Sequence, residues 1–226
     1  MGRTHRPALP DCSGKGIAGP TRAGPARPMA RPSMFKTQPS FRPALARLAD
    51  ASNVWAIALL VVGVALLAWS AQLSIPIQPV PITLQSYVLI TLAALMGWQF
   101  GGLTVAIYLL AGLMGLPVFS GGRSGLAMLT GTSGGFIVGF LVTALLVGWL
   151  QEYWARLRPL PLFGALALGH LVLMGMGAGW LATKVGPMLA LEKGFVPFIP
   201  GAVVKTVAAL ATVVAVERLA GTPRQR

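Results

Sequence analysis

After residue 50 the chain runs in long apolar stretches broken by glycine and proline more than by charge. Positions 54–73 are apolar except for Ser70 and Gln72. Twenty helical residues rising about 1.5 Å each reach about 30 Å, the thickness of a bilayer's hydrocarbon layer. The run stops at 75–81, where Pro76, Pro79 and Pro81 remove backbone donors and enforce an extended path. Two shorter apolar runs follow, 83–96 and 102–116, separated by an expected turn at 97–101. Both are short for full crossings, so tilt or an early end in a protein-lined cavity is expected. Glycines at 115, 121, 122, 125, 131, 134 and 135 then mark a loop by composition. Further apolar runs occupy 134–150, 162–182 and 201–219, with Glu152, Arg156 and Arg158 at the polar exit of the first of these. The pattern predicts an all-α integral membrane protein built as a six-transmembrane-helix bundle. It divides the chain into a tail (1–50), a membrane domain (51–220) and a C-terminal tail (221–226).

Composition agrees with that pattern, since 55% hydrophobic against 10% charged residues excludes a water-soluble surface. No charged residue stands between Asp50 and Arg123, an uncharged length that three crossings account for. The net charge of +13 is unevenly spread. If six spans bring both ends to one side, that side holds fourteen Lys/Arg, against Arg123, Lys184 and Lys193 on the other. The bias places both termini in the cytoplasm of a bacterial plasma membrane. The basic residues of the first fifty are interleaved with Pro, Gly and Ala and lack aromatic alternation, so nucleic-acid binding is not expected. Eight prolines in that segment predict a largely disordered tail. No apolar stretch near the N-terminus marks a cleaved signal peptide, so the first span is expected to be retained.

Inventory removes several chemistries. The single cysteine, Cys12, and the two histidines, His5 and His170, supply neither a disulfide framework nor a histidine-cysteine metal site. No G-x-x-x-x-G-K-[ST] phosphate loop occurs. An enzyme is therefore not expected, nor a cofactor. Solute movement would be passive or driven by another subunit.

The remaining candidates lie on the outer side. Lys205, within the first turns of the last span, either snorkels to water or serves as counter-ion for an anionic solute. Arg123 is either a solvated loop charge or a second such cation. The glycines near 131–135 either allow close helix packing or present backbone N–H groups to a ligand's polar head. His170 reads as a packed helix residue rather than a ligand. Trp98, Trp149, Trp154 and Trp180 fall where an interfacial belt would put them.

Four blocks carry a further resemblance: 75–85 reads I-P-I-Q-P-V-P-I-T-L-Q, 115–123 reads G-L-P-V-F-S-G-G-R, 131–136 reads G-T-S-G-G-F, and 197–205 reads P-F-I-P-G-A-V-V-K. In this order and spacing, across about 50–220, they resemble the motifs of the BioY family. These are the biotin-binding S components of energy-coupling factor (ECF) transporters. The resemblance implies a six-helix bundle that holds biotin near its outer face, energised by a transmembrane T component and cytoplasmic ABC-type ATPases on other chains. It implies substrate contacts at Thr83, Gln85, Arg123, Thr132, Gly134, Phe136 and Lys205, with Lys205 facing the valerate carboxylate.

Two positions depart from the family pattern. Ala202 stands where an Asp often precedes the lysine by three residues, which removes an acceptor for a ureido N–H. Phe136 replaces a frequent tyrosine. For the T component, the nearest small-residue pair on the first span is Ser52-xxx-Ala56. The alternatives to biotin uptake are an S component for another small vitamin and a non-transporting membrane assembly protein.

Overall fold

The computed structural model describes residues 1–2, 41–76 and 79–221. The expected disorder of the tail up to residue 40, Cys12 and His5 fall outside the described residues, as do residues 222–226. The boundary at residue 50 needs correction, because 41–50 belong to the folded unit Gln38–Arg226. Helix α1, Ala44–Ala51, buries Ala44, Ala46 and Ala49, with Phe41 buried just before it. The Ala44 N–H donates to Glu217 Oε1 at 2.8 Å, and Arg42 pairs with Asp50 at 2.6 Å and lies 3.7 Å from Glu152. An unsatisfied first-turn N–H thereby finds a buried carboxylate.

Ser52 is extended and ends α1. Its Oγ then accepts the Trp55 N–H at 3.3 Å, capping α2, Asn53–Gln72. Only Gly63, Leu67, Ser70 and Ala71 of α2 are buried, so an apolar helix shows most of its surface outward. That surface suits lipid and not water. The proline-rich stretch forms a small hairpin in which β1, Ser74–Ile75, pairs antiparallel with β2, Ile82–Thr83.

Helix α3, Gln85–Leu113, is interrupted at Gly97, with φ 73° and ψ 177°. Gln85 Nε2 donates to Tyr108 Oη at 2.8 Å, although a straight helix would separate these residues by about 35 Å. Thr104 Oγ1 likewise reaches Met96 Sδ at 3.7 Å. The element is thus two antiparallel arms, 85–96 and 98–113, and the expected five-residue turn at 97–101 contracts to one glycine. A Cβ at Gly97 would also lie on Glu152 Oε1. Among the described residues five helices are long and apolar enough to cross a membrane, and the doubling of α3 yields six crossing segments.

After α3 the glycine-rich stretch folds into a 3-10 turn, Ser120–Gly122, and a short helix α4, Ala127–Thr130. The Gln72 side chain fastens this loop to α2, accepting the Gly122 N–H at 3.1 Å and donating to the Phe119 carbonyl at 3.1 Å. Helix α5, Gly134–Leu150, continues into a π turn, Gln151–Ala155, that ends at Arg156 and Leu157 with positive φ. Helix α6, Pro159–Val185, returns across the bundle, α7, Pro187–Gly194, forms a cap the apolar pattern did not indicate, and α8, Phe198–Leu219, closes it. One end of the bundle therefore carries α1, Gly97 and the π turn. The other carries the hairpin, the glycine-rich loop and α7.

Candidate functional site

A cavity opens at the hairpin end and holds about 720 Å³ of empty space, part of it open to solvent. Its walls are apolar in the main, with Phe119, Phe136, Phe140, Leu173, Met174 and Phe198 among them. Phe136 stacks on Phe198 with ring centroids 5.7 Å apart. Gly177 sets the position of that wall, since a Cβ there would overlap the Phe136 ring.

Polar groups enter from several elements. Lys205 comes from α8, and its Nζ donates to the Thr83 carbonyl and, at 3.0 Å, to Ser86 Oγ. The ammonium is thus drawn inward to the end of β2 and the start of α3, which replaces snorkelling with an interior position. Among the described residues it has no ion-pair partner, and its third N–H remains for a ligand. Gln85 is buried, and its bond to Tyr108 continues from Tyr108 Oη to the Val118 carbonyl at 3.0 Å. Thr83, Gln85 and Lys205 are therefore brought together where α8 meets the hairpin.

Arg123 stands apart at the exposed rim, its Nε donating to the Ser120 carbonyl at 2.9 Å. Phe136 lines the wall, and Ser133 lines it where the glycine-rich loop enters α5. Thr132 and Gly134 do not reach the cavity lining. Thr132 Oγ1 donates to the Pro79 carbonyl at 3.3 Å, holding the glycine-rich loop against the proline-rich one. The Gly134 N–H already bonds the Gly131 carbonyl at 3.3 Å, and a Cβ at 134 would meet Leu129 O and Trp180 Nε1. Close packing against α6 explains this glycine, in place of N–H presentation to a ligand. Ser52 and Ala56 lie at the other end, Ser52 exposed and acting as helix cap, Ala56 half-buried.

Sequence reasoning missed Ser86, Tyr108 and Gly177, and it favoured packing over a ligand role for His170. His170 is 4% exposed, yet its ring lines the cavity. A lone imidazole in an otherwise apolar span was the available signal.

Six apolar crossing segments around a cavity at the hairpin end with apolar walls, a few inward polar groups and cations at two depths define a multi-pass membrane protein that binds a small solute. The chain belongs to the BioY family, whose sequence model matches residues 42–222. It is 35% identical over 158 residues to the biotin transporter BioY2 of Lactococcus lactis subsp. cremoris, covering 69% of this chain and 86% of that protein. To a probable biotin transporter BioY of Pyrococcus horikoshii it is 36% identical over 165 residues, covering 73% and 96%. The fold matches a crystal structure of the S-component for biotin from an ECF-type ABC transporter, with a TM-score of 0.70 and 26% identity over 75% of this chain and 94% of that one. These relatives are transporters rather than enzymes.

Proposed function

We propose that this protein is the biotin-binding membrane subunit of an ECF-type uptake system, with both termini cytoplasmic and with T and ATPase components on separate chains. The observation that carries the reading is Lys205, an ammonium held inside an apolar cavity by two neutral acceptors and lacking an ion-pair partner among the described residues. A buried cation of that kind suits a ligand that brings electron-rich oxygen. Biotin supplies such oxygen at both ends, together with an apolar bicycle and chain for the phenylalanine walls.

Depth assigns the two ends. A carboxylate loses least hydration at a rim, and Arg123 offers a guanidinium there. The cyclic urea, being neutral, is cheaper to bury, and its carbonyl can accept the free N–H of Lys205. This moves the carboxylate from Lys205, where the sequence reading put it, to Arg123. The charge distribution supports the orientation, because the α1 end faces the side rich in Lys/Arg.

Lys205→Ala is expected to weaken biotin binding more than tenfold, which corresponds to about 1.4 kcal/mol or more. Equilibrium titration of the purified variant with labelled biotin checks this, and an unchanged Kd would remove Lys205 from the site.

A further inference from the structure

His170 lies on α6 and is packed on one side of its ring only. Nδ1 is 3.3 Å from the Leu166 carbonyl and 2.9 Å from Thr206 Oγ1, whereas Nε2 is buried and has no hydrogen-bond partner among the described residues. Buried polar atoms without partners are uncommon, and His170 is among the residues that line the ligand cavity.

Hydrogen-bond accounting fixes what that atom can do. Thr206 has a single hydroxyl proton and donates it to the Ala202 carbonyl at 2.8 Å. With that bond made, its oxygen accepts from His170. The Leu166 carbonyl can only accept as well. Two acceptors then face Nδ1, an arrangement that suits the ring proton on Nδ1 and leaves a bare lone pair on Nε2. A second proton there would create a buried cation without a partner in a cavity that already holds Lys205.

We infer that His170 Nε2 is the acceptor for an N–H of the bound solute, making His170 a specificity-determining contact. The inference rests on the biotin reading above. In biotin the only donors at neutral pH are the two ureido N–H groups, each adjacent to the ureido carbonyl. A carbonyl facing Lys205 and an N–H facing His170 are neighbouring edges of one cyclic urea. The Ala202 side chain contributes no acceptor, so His170 carries this recognition from the facing helix.

The test compares wild type, His170→Phe and His170→Gln for binding of biotin, of biotin methylated on a ureido nitrogen, and of biotinamide, which lacks the carboxylate charge. Wild type is expected to prefer biotin to the better-bound N-methyl isomer by about tenfold or more. His170→Phe keeps the ring shape and should lose most of that preference, while its biotin-to-biotinamide ratio stays at the wild-type value. His170→Gln, which can place an oxygen near the Nε2 position, should recover part of the preference. Wild-type discrimination against N-methylation that persists undiminished in both variants would overturn the inference, as would equal wild-type binding of biotin and its N-methyl forms. If wild type binds no biotin, the functional reading fails instead. If His170→Phe does not fold, the wild-type comparison and His170→Gln still decide.

Discussion

Gly97 reverses α3 within one residue, and two independent constraints keep any side chain out of that position. Its φ of 73° with ψ of 177° is open to glycine and strained for other residues, and Glu152 Oε1 occupies the place of a Cβ. Gly97→Ala is therefore expected to destabilise the protein by at least about 2 kcal/mol, read as a lowered midpoint of thermal unfolding in detergent. Glycine at 97 was legible as a turn, but the sequence could not show that a buried carboxylate from the π turn shares the site. The same limit applies to the cavity. Lys205 stood out because a charge is rare in an apolar run, and Gln85 through the resemblance carried by the 75–85 block. Gly177 and Ser133 look like ordinary small residues, and their roles come from contacts with Phe136 and the lining that no local pattern encodes. Gly134 misled for a related reason, since glycine serves close packing and N–H presentation equally well and Trp180 decides between them.

At the scale of elements, apolar run length located every crossing segment, and their ends moved by a few residues. The sixth begins at Phe198 rather than 201, and the fifth runs from Pro159 to Val185 rather than 162–182. Helices α1 and α7 were less legible because both are short and their partners are distant in sequence. For α1 the structure supplies the reason it forms: the Ala44 N–H meets Glu217, and Arg42 approaches Glu152, both carboxylates being fully or almost fully buried. Removing residues 1–40 should leave biotin affinity within about twofold of the full chain, because the cavity lies at the end opposite α1. Removing 1–51 should lower thermal stability clearly, since it takes away a donor to buried Glu217, the Arg42 cation near buried Glu152 and the buried apolar face of α1. Parallel unfolding curves of the two truncations check the contrast, and identical stabilities would contradict the packing role of α1.

Across the described residues, the six crossing segments create a site at the hairpin end. The proline-rich hairpin, the glycine-rich loop and the first turns of α8 converge there, held by Gln72, Thr132, Tyr108 and Lys205. Three of the four sequence blocks that suggested the family are these converging segments and the fourth opens α5, which is why the resemblance pointed to the right region. Depth within the cavity was invisible in sequence, and it is depth that separates Arg123 at the rim from Lys205 inside. The absence of a phosphate-binding loop in the chain fits a subunit that binds solute while other chains supply energy.

The most direct measurement is equilibrium binding of radiolabelled biotin to the purified full chain in lipid nanodiscs. Saturable binding displaced by unlabelled biotin is expected, with stabilisation against thermal unfolding of about 2.7 kcal/mol when free biotin is a hundredfold above Kd. No saturable biotin binding by a folded protein, with protection instead by a different small vitamin, would contradict it.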